Sequence, residues 1–246
     1  MKLKDREILK LMSEQYIFHE KYIEKDCIVC FKDENKKSYS MSLADFNIFG
    51  GFTIPDREGF FKAIAKNNKN LIGKKALEIG VAEGSNALRI YKHLNPSKIW
   101  LIDPWICQLK RSADRGYNNM GHDISYEETK NNFRNKNCEI IKDFAKNVVD
   151  NFEDEFFDFI YIDGDHSYDG CKQDLDLYYK KLKKGGFFGG HDFTGNWNSL
   201  KNKGYGVQKA VCEFLLQHNK KLQFATLCKE TYYFGNALPF DWGFIK

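Results

Sequence analysis

The sequence predicts an α/β fold, a mostly parallel sheet with helices on both faces, and three observations carry the prediction. From Lys75 onward short apolar runs alternate with helical stretches. A glycine-containing turn joins the first of these runs to a helix. Acidic residues close several of the following runs, at the sheet edge where open parallel sheets bind ligands.

Size and composition agree with this class. A chain of 246 residues, 42% of them hydrophobic and 29% charged, buries about 70–75% of its extended surface on folding. Four prolines and intermixed charges argue against disordered, collagen-like and repeat architectures. The net charge is +4, and no block of like charge is long enough for a nucleic-acid tail, so no nucleic-acid partner is expected. Charge interrupts the apolar residues of segment 1–25 every two or three positions, which fits neither a signal peptide nor a membrane span. Seven scattered cysteines then suit free thiols in a reducing, cytoplasmic setting. Cys27-Ile28-Val29-Cys30 lacks the second ligand pair of a zinc site and reads as a strand.

Residues 1–70 form a separate N-terminal extension in this reading. Ile8, Leu11, Met12, Tyr16, His19 and Ile23 approach helical spacing and predict an amphipathic helix over 7–23, able to cap the main domain or pair subunits as a homo-oligomer. Cys27–Phe31 and Ser38–Leu43 flank a polar turn and predict a hairpin. Pro55 and Asp56 precede Phe60, Phe61 and Ile64, a helix leading into the main domain.

In the main domain, 71–246, the predicted strands are Ala76–Ile79, Ile99–Ile102, Glu139–Ile141, Phe156–Ile162 and Gly186–Gly189. Cys171, Leu175, Tyr178 and Leu182 predict a helix over 169–183, stopped by Gly185-Gly186. A second runs from Val207 through Val211, Phe214 and Leu215, and Gln223–Leu227 with Thr231–Phe234 reads as a terminal antiparallel pair. Segment 105–130 is polar and reads as a long loop, either a lid or a solvated excursion.

The chemistry-bearing residues fall at the ends of the predicted strands. Glu78, Gly80, Gly84 and Ser85 form a strand-to-helix turn suited to a nucleoside cofactor with an amino-acid tail. Ala82 and Ser85 stand where the dinucleotide fingerprint requires glycine, which weakens a nicotinamide reading. Asp103 ends the next strand, where an acid accepts hydrogen bonds from ribose hydroxyls, and Asp143 with Phe144 would flank an adenine. Alternatively, that last pair is a helix cap and a core residue. Asp163, His166, His191 and Asp192 follow the fourth and fifth strands. Asp163 and Asp192 are suitable oxygen ligands for a hard divalent cation, and His191 a less natural one for magnesium; the competing reading makes them loop and cap residues.

Five blocks together resemble class I S-adenosylmethionine (SAM)-dependent methyltransferases of the macrocin and macrolide-sugar O-methyltransferase group, which includes cephalosporin-hydroxylase-like proteins. They are Glu78–Gly84, Ile102-Asp103-Pro104-Trp105, Ile162–Tyr168, Gly189–Phe193 and Gly206–Val211, within a similarity over roughly 70–235. The resemblance implies a Rossmann-like, seven-stranded, mostly parallel sheet, SAM as cofactor, methyl transfer to a hydroxyl of a small molecule, often a sugar or nucleotide-activated sugar, and frequently Mg2+. It matches Asp163 and Asp192 to metal-ligating acids and His166 to a proposed base. By its position after the fourth strand, Asp163 is the expected base where no metal is bound. His191 departs from the acidic residue common before the second Asp. Lys110, Arg111 and Arg115, with Tyr168, are the expected substrate contacts, the basic ones toward a phosphate. An RNA or non-sugar acceptor, a SAM-binding protein without catalysis, and a nucleotide-dependent oxidoreductase are the other readings.

Overall fold

A computed structural model describes residues 15–16, 27–32, 38–42, 57–106, 119–193, 206–220, 223–227 and 239–246. Three short strands, β1 (Gln15–Tyr16), β2 (Cys27–Lys32) and β3 (Ser38–Ser42), form an antiparallel sheet in that order. The expected hairpin is therefore present as β2 and β3. The helix expected over 7–23 is not supported where that stretch is described: Gln15 and Tyr16 pair with Lys32 and Phe31. Strand pairing supplies backbone partners that a spacing argument on apolar residues does not see.

Among the described residues the main sheet has seven strands: β4 (Lys75–Ile79), β5 (Lys98–Ile102), β6 (Cys138–Ile141), β7 (Phe157–Ile162), β8 (Leu182–Gly190), β9 (Phe224–Leu227) and β10 (Pro239–Ile245). Their spatial order is β6-β5-β4-β7-β8-β10-β9. The strands β4 to β8 run parallel, and β10 is antiparallel to both β8 and β9. The expected Gln223–Leu227 strand is β9, but its described partner is β10; Thr231–Phe234 lies outside the described residues.

The side-chain alternation of strands distributes the core to both faces. Ala76, Ile99, Leu101, Phe159, Tyr161 and Phe187 pack with Phe60, Phe61 and Ile64 of α1 (Arg57–Asn67) and with α2 (Ser85–Leu94). Leu77, Ile79, Ile160, Ile162 and Phe188 face α4 (Ala145–Val148), α5 (Tyr168–Lys181) and α6 (Val207–Gln217). Helix α5 ends at Lys181, and Leu182 already belongs to β8, where it pairs with Phe157. The sequence reading carried that helix two residues too far because Leu182 fits the helical period and is buried either way.

The largest correction concerns 105–130. Asn119–Phe133 is a helix, α3, with Thr129 and Phe133 buried. Its apolar stripe is thin and broken by asparagines, so its inner face is set by hydrogen bonding as much as by burial. Among the described residues no helix is long and apolar enough to cross a membrane.

The chain steps outward from β4 to β5 and β6, then returns to lay β7 on the other side of β4. This reversal opens a crevice at the carboxyl ends of β4 and β7, the place where open parallel sheets bind ligands. The ladder continues past the strands: Gly80 N donates to Ile102 O at 2.9 Å, Asp103 N to Ile141 O at 3.2 Å, Asp163 N to Ile79 O at 2.7 Å and His191 N to Ile162 O at 3.0 Å. Four of the predicted site positions are thereby aligned along one edge.

Candidate active site at the carboxyl edge of the sheet

The turn between β4 and α2 is shaped by Gly80 at φ +80°. A β-carbon there would lie 2.0 Å from the carbonyl oxygen of Asp163, so only glycine allows β4 and β7 to stay this close. Ala82 follows at φ +49° and Gly84 caps α2 at φ +80°, with Ser85 exposed at the first helical position.

Asp103 is fastened to this turn. Its Oδ2 accepts the amide hydrogens of Val81 at 2.8 Å and Ala82 at 3.0 Å, and its Oδ1 accepts that of Trp105 at 2.7 Å. Two successive amides pointing at one carboxylate form an anion-binding nest whose anion is part of the chain. With two acceptor positions per oxygen, Oδ2 is full and Oδ1 retains one.

Glu78 lies beneath the turn and is fully buried. Asn86 Nδ2 donates to its Oε1 at 2.9 Å, while Glu78 Oε2 and Asn86 Oδ1 have no partner among the described residues. Burial pushes the Glu78 carboxyl up to about 8, against the lowering effect of the Asn86 hydrogen bond. The acid expected to meet a cofactor ammonium is thus enclosed and favours its neutral form.

At the ends of β7 and β8, Asp163, His166, His191 and Asp192 converge. His166 Nε2 lies 2.9 Å from Asp192 Oδ2 and 3.5 Å from Asp163 Oδ1; His191 Nδ1 lies 3.3 Å from Asp192 Oδ2 and 3.7 Å from Asp163 Oδ1. Burial lowers the two imidazoles, but the carboxylates outweigh it and raise each to about 10. Burial likewise raises the acids, and the two histidines bring Asp163 below the usual carboxylate range and Asp192 well below it. In this state both imidazoles are cations at neutral pH. Asp192 sits at φ +55°, and Trp242 Nε1 donates to the His191 carbonyl at 3.2 Å, holding the turn from β10.

One donor atom from each of Asp163, His191 and Asp192 lies within 4.8 Å of the others, a set that fits a divalent cation with mixed oxygen and nitrogen ligation.

Residues 77–193 match the family model of a methyltransferase domain. That span contains Glu78, Asp103 and all four members of the histidine and aspartate cluster. Over that span, just under half of the chain, the sequence is similar to methyltransferase domains. Its fold is shared with the O-methyltransferase from Bacillus cereus solved in complex with SAH, at 15% identity, covering 82% of this chain and 86% of that one with a TM-score of 0.55. The cofactor-bound structure of Rv0187 from MTB is similar at 13% identity, covering 75% and 78%, with a TM-score of 0.51. No curated protein matches the sequence.

Other expected contacts of the site are dispersed. Asp143 follows β6, and its Oδ1 accepts the Phe144 amide and Asn147 Nδ2, both at 2.7 Å; the N-cap of α4 is Phe144, which is half-buried and makes no side-chain cap hydrogen bond. The Tyr168 hydroxyl donates to Glu213 of α6, which ties α5 to α6. Lys110, Arg111 and Arg115 lie outside the described residues. Several groups around the candidate site are not marked by the sequence. Arg57 of α1 places Nε 3.2 Å from Asp241 Oδ1, and Asp241 also accepts from the buried Tyr161 hydroxyl. Trp105 and Thr129 touch the turn directly and Asn86 bonds Glu78 beneath it; Trp105 stands in one of the resembling blocks without an assigned role, and the sequence signal for Asn86 and Thr129 was proximity to the glycine motif or position in the polar segment.

Proposed function

We propose that this methyltransferase transfers the methyl group of SAM to a hydroxyl of a small-molecule acceptor, a sugar or nucleotide-activated sugar. The observation that carries the reading is the convergence of Asp163, His166, His191 and Asp192 at the switch-point crevice, beside the glycine turn. Such a cluster suits activation of a weakly acidic hydroxyl and has no use in a protein that only binds SAM. The likeness to an O-methyltransferase from Bacillus cereus agrees with it. The nest at Val81 and Ala82 argues against a dinucleotide: its amides are already taken by Asp103, so they do not cradle a pyrophosphate.

In this reading Glu78, Gly80, Gly84 and Ser85 hold the amino-acid end of the cofactor, and the remaining acceptor position on Asp103 Oδ1 takes one ribose hydroxyl. Asp143 and Phe144 flank the adenine. A divalent cation held by Asp163, His191 and Asp192 would supply Lewis acidity to acceptor oxygens and balance the two carboxylates in place of an imidazolium. His166, then neutral, takes the hydroxyl proton at Nε2. The oxygen attacks the methyl carbon in line with the C–S bond, which breaks as the C–O bond forms, giving S-adenosylhomocysteine (SAH) and a methyl ether. Tyr168 and the basic residues Lys110, Arg111 and Arg115 contact the acceptor.

The test is SAH release from purified protein and SAM over a panel of sugars, nucleotide sugars, non-sugar hydroxylated metabolites and RNA, with the product identified by mass spectrometry. Methylation of a sugar hydroxyl, lost about 10²–10⁴-fold in a folded, SAH-binding His166→Ala variant, supports the assignment. Turnover confined to RNA or to a non-sugar acceptor overturns the sugar assignment, and SAM binding without turnover on any acceptor overturns the enzymatic one.

A further inference from the structure

The turn that carries the cofactor site is built from a residue in an unfavourable conformation. Ala82 adopts φ +49°, a region that residues with a β-carbon rarely occupy. Locally, the Gly84 amide donates to the Val81 carbonyl at 2.9 Å and closes the turn over Ala82 and Glu83; further hydrogen bonds come from residues distant in sequence.

On its amino side, the Ala82 amide donates to Asp103 Oδ2 at 3.0 Å. On its carboxyl side, the Ala82 carbonyl accepts two hydrogen bonds, from Trp105 Nε1 at 2.8 Å and from Thr129 Oγ1 at 2.8 Å. Those two fill the acceptor capacity of a carbonyl oxygen. The next carbonyl, of Glu83, accepts from Asn132 Nδ2 at 3.0 Å. Trp105 is itself at φ +43° and buried, and its ring lies 4.9 Å from that of Tyr126 on α3. Thr129 is fully buried, and its hydroxyl and methyl groups face the position where a β-carbon on Gly84 would stand, at 3.2 and 3.5 Å.

We propose that Trp105 and Thr129 are positioning residues for the cofactor, acting through the Ala82 carbonyl. They fix the peptide after Ala82 while Asp103 fixes the one before it, so the turn is shaped before ligand arrives. Helix α3 thereby becomes part of the cofactor site without touching the reacting atoms. Two residues held in left-handed conformations and joined to each other are the kind of strain that persists only where surrounding structure over-determines it. The inference rests on the reading that this turn holds SAM.

A pair of substitutions at Thr129 separates positioning from packing. Thr129→Val keeps the volume and removes the hydroxyl, whereas Thr129→Ser keeps the hydroxyl and removes the methyl. Calorimetric titration with SAH, below the melting transition of each variant, is expected to show affinity reduced about fivefold by Thr129→Val and by Trp105→Phe, with Thr129→Ser close to wild type. A residue that only fills space gives the opposite order at 129. Wild-type affinity in Thr129→Val, or an equal loss in Thr129→Val and Thr129→Ser, overturns the inference and leaves the cofactor assignment standing. Absence of SAH binding by the folded wild-type protein overturns the cofactor assignment and this inference with it.

Discussion

Asp103 holds Val81: the carboxylate at the end of β5 accepts the amide hydrogen of the second residue past β4 at 2.8 Å. The acid and the glycine turn are one unit, in which a side chain occupies the nest that phosphate fills in dinucleotide sites. Asp103→Asn tests this. An amide has one oxygen, so it serves either the Val81 and Ala82 amides or the Trp105 amide, and its NH2 group opposes the donors on the other side. The expected loss is about 1–3 kcal/mol of stability by denaturant unfolding, with SAH affinity lowered about tenfold. A variant with wild-type values in both would show that the nest does not need its internal anion.

Gly80→Ala probes the contact between β4 and β7 at the crevice. The added carbon would lie 2.0 Å from the Asp163 carbonyl oxygen, on a backbone already at φ +80°. Neither neighbour is a flexible side chain that can move aside. Destabilisation of about 3 kcal/mol or more is expected, read as a lower denaturation midpoint or as loss of soluble protein. The Asp163 cluster would shift with the strand, so cation and SAH binding should fall together.

Glu78 gives stability a definite pH dependence. Burial raises its carboxyl from 4.5 to about 8. Between those values the folded chain binds a proton that the unfolded chain has released, so this residue makes stability fall as pH rises, by at most about 1.4 kcal/mol per pH unit. The contribution is complete below 4.5 and gone above 8. Glu78→Gln removes it, and a glutamine amide has a donor for Asn86 Oδ1, which lacks a partner among the described residues. The difference between wild-type and variant unfolding free energies should therefore grow in favour of the variant from pH 5 to pH 8. Asp174, raised to about 7 mainly by burial, acts in the same direction but is present in both proteins and cancels in the difference. A flat difference would place the Glu78 carboxylate in its ionised form throughout.

The parallel strands were legible because, Glu78 and Asp158 apart, Ala76–Ile79, Ile99–Ile102 and Phe157–Ile162 are apolar on both faces, a pattern forced by helices on each side. β10 carried a readable signal as well, the alternation of Phe240, Trp242 and Phe244, but Pro239 and Gly243 obscured it. Helix α3 did not announce itself: Thr129 and Asn132 face inward to bond Ala82 and Glu83, and inward polar residues look like surface in a sequence. Residue types identified Asp163, His166, His191 and Asp192 as candidates. Their mutual charge, which raises both imidazoles to about 10, depends on distances that only the fold supplies. Asp103 was found for its position, yet its partners are amides of the turn, and no sequence pattern encodes which lone pairs are already occupied.

The chemistry of the Asp163, His191 and Asp192 set leads to a prediction about which cation it prefers. Two carboxylates suit any hard dication, but an imidazole nitrogen is a poor ligand for magnesium and a good one for manganese and later transition metals. Their donor atoms lie within 4.8 Å of one another, close enough to converge on one ion. Manganese should therefore bind more tightly than magnesium, measured by titration calorimetry or by the loss of the free-ion spin-resonance signal. His191→Ala should narrow that preference, because it removes the nitrogen and leaves both carboxylates. Asp192→Asn should weaken both ions strongly, because it removes the charge of one of the two carboxylates. Trp242→Phe, which deletes the indole donor to the His191 carbonyl while keeping an aromatic ring, should reduce manganese affinity more modestly, since it loosens the turn without removing a ligand. Failure of the wild-type protein to bind either ion would identify the four residues as an ion-pair network. Equal affinity for the two ions in wild type and His191→Ala would instead place the cation on the carboxylates alone.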